Sequence, residues 1–241
     1  MKTALITGSS RGIGRAIARR LAADGMRCVV TGRDEAALAE VAQGIGSNTP
    51  WLAVDLREPG AAERLVAFAA SQLGGLDVVV NNAGATKRGD FLDLTDEDWL
   101  DGFALKFFGA VRVTRAAWPH LKKTAGSVVT IAGVGGRTPG PQFSVGGSVN
   151  AALMAFTKSL ADTGVRDGVQ VNAINPGLVR TDRFVRRLAS TTEEQLIASE
   201  KIVRVGEPEE IAELVSFVVG PRGRFLQGAL IDMDGGATKS V

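Results

Sequence analysis

The sequence predicts an α/β fold, a single domain built on a doubly wound, seven-stranded parallel sheet with helices on both faces. Three observations carry this reading. Seven short apolar runs recur along the chain, the segments between them have helical spacing, and 241 residues, 45% hydrophobic and 22% charged, suffice to bury one core without a second domain. The runs are Ala4–Ile6, Cys28–Val30, Leu52–Val54, Val78–Val80, Val128–Ile131, Val169–Ile174 and Leu230–Met233. They are predominantly apolar, as expected of strands covered on both faces. After the first run, Ile13, Ile17 and Leu21 mark a helical stripe, and after the fifth, Leu153, Phe156 and Leu160 mark another. Trp99 is placed at the start of the fourth helix. The longest irregular stretch, about 179–207, is rich in charge and is expected to form a mobile, substrate-covering segment. Residues 1–241 contain no internal repeat, low-complexity tract or linker.

Charge and composition narrow the partners. Twenty-eight Lys and Arg against 26 Asp and Glu leave a net charge of +2, little drive toward nucleic acid or an anionic membrane. Cys28 is the only cysteine and cannot form an intrachain disulfide, so a reducing, cytoplasmic setting is expected. The chain opens directly into Lys2-Thr3-Ala4-Leu5-Ile6, and no run of eighteen apolar residues occurs, so a soluble, unprocessed protein is expected. With one histidine, His120 beside Trp118-Pro119, and one cysteine, no metal site is expected. His120 reads as a surface or packing residue.

Thr7-Gly8-Ser9-Ser10-Arg11-Gly12-Ile13-Gly14 follows the first strand and opens the first helix. In that context glycines allow a tight turn and let the backbone approach a pyrophosphate seated at the helix N-terminus. Gly8, Ser10, Arg11, Gly12, Ile13 and Gly14 are therefore cofactor-binding candidates. At the end of the second strand stands Arg33, where a cofactor with a free ribose hydroxyl usually meets an acid. Arg33, helped by Arg11, favours a 2′-phosphate, hence NADP(H) over NAD(H), with Asp34 as a competing signal.

Together these motifs resemble the short-chain dehydrogenase/reductase family over the whole length. They stand in family order: Thr7–Gly14, then Asp55-Leu56, then Asn81-Asn82-Ala83-Gly84, then Pro176-Gly177-Leu178-Val179-Arg180-Thr181. The resemblance implies a Rossmann-type fold and an oxidoreductase. It also implies cofactor contacts at Asp55, Leu56, Asn82, Ala83, Gly84, Pro176, Gly177 and Thr181, and a homo-oligomer, most often a tetramer.

The same resemblance exposes a departure. The family reacts through an Asn, a Ser, a Tyr and a Lys, and the four positions fall here on Lys106, Gly133, Gly146 and Asn150. The chain contains no tyrosine at all. In the family the tyrosine delivers a proton as hydride arrives, the lysine lowers its pKa, and the serine polarises the carbonyl. Their replacement removes the usual alcohol–ketone chemistry and leaves three readings. One is a rewired NADP(H) enzyme in which Lys106 brings a cation near Asn150, with Ser144, Ser148 and Gln142 flanking the substrate. Another is a pseudoenzyme that binds a dinucleotide or other ligand, and the third is a non-redox lyase or isomerase. Arg180, Arg183, Arg186 and Arg187 crowd the segment after the Pro-Gly turn. They read either as an attraction for an anionic ligand or as a solvated face answered by Glu193 and Glu194.

Overall fold

Seven strands pair side by side, all parallel, in the computed structural model, which describes residues 1–239. They are β1 (Thr3–Ile6), β2 (Arg27–Gly32), β3 (Trp51–Ala53), β4 (Val78–Asn81), β5 (Ser127–Ile131), β6 (Gln170–Pro176) and β7 (Leu230–Met233), ordered β3-β2-β1-β4-β5-β6-β7. From β1 the chain winds outward to β3, then crosses back to lay β4 on the other side of β1. That reversal leaves a crevice beyond the carboxyl ends of β1 and β4, where ligands bind in sheets of this kind. The expected strands are present, with small shifts. Val54 lies just past β3, and Val169 just before β6, its N–H turned to the Gly164 carbonyl at 2.9 Å.

The helices are α1 (Gly12–Ala23), α2 (Glu35–Ile45), α3 (Ala61–Leu73), α4 (Asp96–Gly102), α5 (Gly109–Thr124), α6 (Ser144–Asp167), α7 (Asp182–Arg187), α8 (Glu193–Glu200) and α9 (Pro208–Val219). They cover both faces because successive strand residues point to opposite sides. Ala4 and Ile6 of β1 pack with Ile17 and Leu21 of α1 and with Ile211 and Val215 of α9. Leu5 between them packs the other way, with Leu65 of α3 and Val113 of α5. Strands β1, β4, β5 and β6 are buried at every residue. Burial on both faces explains why β1, β4 and β5 show no alternation, while in β6 the polar Gln170, Asn172 and Asn175 are buried too.

Two expectations need correction. The stretch 179–207 is not irregular: it holds α7 and α8, whose Phe184 and Leu196 make a small core with Val205, and Val179 bridges to Gly206. Its charges conceal that core, because apolar residues spaced over two short helices give no run. Trp99 does not begin the fourth helix but is its fourth residue; α4 starts at Asp96 after a capping box between Thr95 and Asp98. Between α4 and α5, Phe103–Phe108 forms a π-helical turn, a widening often found at functional sites.

The β1 and β4 turns are locked together. Asn82 Nδ2 donates to the carbonyls of Thr7 (3.0 Å) and Gly8 (2.9 Å), while Thr7 Oγ1 accepts from the N–H groups of Asn82 (2.9 Å) and Ala83 (3.0 Å). A Cβ on Gly14 would collide with the Gly8 carbonyl and the Asn82 amide, so only glycine lets α1 start this close to both turns. We expect Asn82→Ala, which orphans two carbonyls, to cost about 1–3 kcal/mol, measured as a lower urea midpoint with unchanged slope.

Candidate functional site

Every candidate position from the sequence lies just beyond the carboxyl end of a strand or on the helix that follows. Gly8, Ser10 and Arg11 form the turn after β1, and Gly12, Ile13 and Gly14 begin α1. No side chain caps α1, so the amides of its first turn face outward at the positive end of the helix dipole. Gly12 has φ +52°, and Thr181, which leads into α7, packs its Cγ2 at 3.3 Å from where a Gly12 Cβ would stand. The Pro-Gly segment therefore closes over the glycine-rich turn, with Gly177 N–H held by the Met233 carbonyl at 3.1 Å after Pro176 ends β6. A dinucleotide's phosphates fit this cradle.

Arg33 is 59% exposed and held only by Asp55, at 3.6 Å; Arg11 is likewise paired with Asp182 at 3.6 Å. Asp34 is spent locally, accepting from the Ala37 N–H at 3.1 Å as the cap of α2. Asp55 also receives Arg57 at 2.8 Å, and these bonds and charges hold its carboxyl below the usual range despite the opposing effect of partial burial. Leu56 is only 4% exposed and its side chain packs in the core with Ala62 and Val113, so its side chain does not face the crevice.

On the other side of the crevice, Lys106 extends from the π turn. Its Nζ donates to the Ala132 carbonyl and to Asn150 Oδ1, both at 2.6 Å. Gly84 makes room for the lysine stem: a Cβ there would stand 2.6 Å from Lys106 Cγ. Burial, then the nearby Arg183 charge, brings Lys106 down from 10.5 to about 7. Asn150 is 2% exposed, and a Cβ on Gly133 would lie 2.9 Å from its Nδ2. The asparagine amide thus fills the space a side chain at 133 would need.

Gly146 is covered by Phe143. A Cβ at Gly146 would penetrate the Phe143 ring, and one at Gly135 would stand 2.7 Å from it. The ring therefore occupies the start of the path that a tyrosine at 146 would take. Arg88 lies over its outer face, with Cζ 4.3 Å from the ring centroid. Ser144 Oγ is buried without a hydrogen-bond partner. Ser148 is exposed and, two residues from both Gly146 and Asn150, sits on the opposite side of α6, so the expected flanking role does not fit it. Gln142 is exposed and its carbonyl accepts the Gly89 N–H at 3.2 Å.

The arginines after the Pro-Gly turn divide. Arg180 is tied to Glu193 (2.7 Å) and Glu207 (2.9 Å), and Arg187 to Glu200 (2.9 Å). Arg183 instead reaches back to donate to the Gly84 carbonyl. His120 lies within α5, and among the described residues no group of three His, Cys, Asp or Glu could hold a metal. No described helix is long and apolar enough to cross a membrane. Phe143 and Arg88 escaped the sequence reading. A signal for the ring existed, since Gly135 and Gly146 leave a gap that one large side chain fills.

A family model described as enoyl-(acyl carrier protein) reductase matches residues 8–238. The 3-oxoacyl-(acyl-carrier-protein) reductase of Escherichia coli (strain K12) is 31% identical over 98% of this chain and 96% of its own length. Human dehydrogenase/reductase SDR family member 4 is 34% identical over 98% of this chain and 87% of its own. Among solved structures, L-sorbose reductase from Gluconobacter frateurii, complexed with NADPH and L-sorbose, superposes with a TM-score of 0.92 at 30% identity, covering 100% of this chain and 97% of that one. A short-chain oxidoreductase from Pseudomonas aeruginosa PAO1, described as containing an atypical catalytic center, was solved with NADPH bound. It matches at TM-score 0.93 and 26% identity, over 100% of this chain and 98% of that one.

Two outcomes test this geometry. Gly146→Tyr alone should destabilise by about 1–3 kcal/mol through overpacking against Phe143, and adding Phe143→Ala should recover most of that in thermal unfolding. Lys106 offers a pH test, because an unfolded lysine keeps its proton up to 10.5 whereas the folded one releases it near 7. Stability of the native protein relative to Lys106→Met should therefore rise between pH 7 and 10.

Proposed function

The chain belongs to the short-chain dehydrogenase/reductase family, and from that membership we propose an NADP(H)-dependent oxidoreductase whose reacting proton is carried by Lys106. The observation that carries the reading is the setting of Lys106 Nζ, 2.6 Å from two fixed acceptors and with its pKa lowered to about 7. A general acid or base works best when its pKa lies near the operating pH.

The uncapped N-terminus of α1, the Gly12–Thr181 contact and the exposed Arg33 and Arg11 support a dinucleotide with a 2′-phosphate. Relatives solved with NADPH or NADP support the same cofactor. When bound, the nicotinamide supplies a hydride to the substrate or accepts one from it. For reduction, two ammonium protons of Lys106 stay on Ala132 O and Asn150 Oδ1, and the third passes to the substrate oxygen, or to carbon if an activated double bond is reduced. The neutral amine that remains keeps both hydrogen bonds, so the side chain need not move, and solvent restores its proton. Asn150 Nδ2, which makes no hydrogen bond among the described residues, is placed to polarise the same oxygen.

Lys106 and Asn150 thus exchange the residue types that the family carries at these two positions, and keep them paired. Gly133 and Gly84 are the space this exchange requires. Helices α7 and α8, between 179 and 207, serve as the cover over bound substrate. We place the enzyme in the cytoplasm as a homotetramer, consistent with the exposed Leu100 and Phe108 near the α4–α5 face. A binding protein without turnover is the second reading, favoured by the ring of Phe143 where the family's acid begins.

NADPH oxidation over a panel of ketones, aldehydes and enones separates the two. We expect sustained turnover whose kcat falls as pH rises through about 7, because reduction needs the protonated lysine. Lys106→Met should lower kcat by roughly 10²- to 10⁴-fold and abolish that pH step while NADPH still binds by calorimetry. Cofactor binding without turnover on any substrate would leave the binding-protein reading.

A further inference from the structure

Two guanidinium groups, those of Arg88 and Arg183, approach the substrate side of Lys106 and repel one another. Arg88, from the loop after β4, lies over the Phe143 ring that covers Gly146, its Cζ 4.3 Å from the ring centroid. Arg183, from α7, donates to the Gly84 carbonyl, directly beside the stem of Lys106. Among the described residues no carboxylate lies within 4 Å of either guanidinium, whereas on the same segment Arg180 has two and Arg187 has one. Burial lowers the pKa of both; the charges of Arg187 and Arg183 add to the effect at Arg88 while Glu200 partly offsets it, and those of Arg186 and Arg11 add at Arg183.

Holding like charges together this way is unfavourable unless a ligand compensates. Arg88 is also held in place by its contact with Phe143, and its N–H groups make no hydrogen bond among the described residues, which leaves them for the bidentate pairing that suits an oxyanion. Both residues are solvent-accessible, so a ligand can reach them.

We propose that the substrate carries an anionic group, a carboxylate or phosphate, which docks between Arg88 and Arg183 and places the reacting carbon beside Lys106. The inference rests on the reading of this crevice as the place where substrate meets Lys106. It sorts the arginine-rich segment into structural members, Arg180 and Arg187, and a ligand-facing member, Arg183. Arg88, from a different loop, completes the clamp.

The test is calorimetric titration of the full-length protein, saturated with NADP⁺, with glutarate, its neutral analogue glutaramide, and inorganic phosphate. At least one anion should bind ten-fold or more tighter than glutaramide, and Arg88→Gln and Arg183→Gln should each remove that preference while circular dichroism shows the fold retained. No preference for either anion, or a preference untouched by Arg88→Gln, overturns the proposal. Anion binding that disappears when NADP⁺ is present also overturns it, because the charge then belongs to the cofactor's phosphates. If NADP⁺ itself does not bind, the cofactor reading fails separately; the same titrations on the free protein then decide the anion clamp, supported by an Arg88-dependent preference and overturned without one.

Discussion

The structure depends on the contact between the turn after β1 and the turn after β4. Asn82 holds the carbonyls of Thr7 and Gly8, Thr7 holds the N–H groups of Asn82 and Ala83, and Gly14 starts a helix where no side chain fits. This network fixes the two strands that flank the crevice. Because Gly84 follows Asn82 in the same turn, it also fixes the floor on which Lys106 lies and the carbonyl that Arg183 seeks. The glycine-rich turn and the floor beneath Lys106 are therefore two ends of one hydrogen-bonded unit.

Around that unit, the space beside glycines is filled by neighbouring side chains. The amide of Asn150 fills the space beside Gly133, and the ring of Phe143 fills the space over Gly146. What would otherwise be cavities, each costing stability in proportion to its size, are occupied. A buried amine survives there because it has two acceptors, and its charge is expensive enough that the proton is readily given up.

The fold was almost wholly legible in the sequence, since strands covered on both faces advertise themselves as apolar runs and the glycine-rich turn needs its residues for local reasons. The cofactor side was legible for the same cause. Lys106 was found by register, and its approach to Asn150 followed from its length. Phe143 and Arg88 were hidden because their meeting is tertiary: one precedes α6, the other lies in the loop after β4, and no spacing joins them. The two helices inside 179–207 were masked by charge, their small core being assembled from residues far apart in the stretch.

The Phe143 ring gives the crevice a direction in time. A lineage that has this ring cannot regain a tyrosine at 146 by one step, since the two aromatics compete for one volume and the intermediate is worse than either end. Losing Phe143 first leaves a void among glycines and frees Arg88 from its platform. Physical exclusion of this sort ties what can stand at 146 to what stands at 143, so the two positions can change only together.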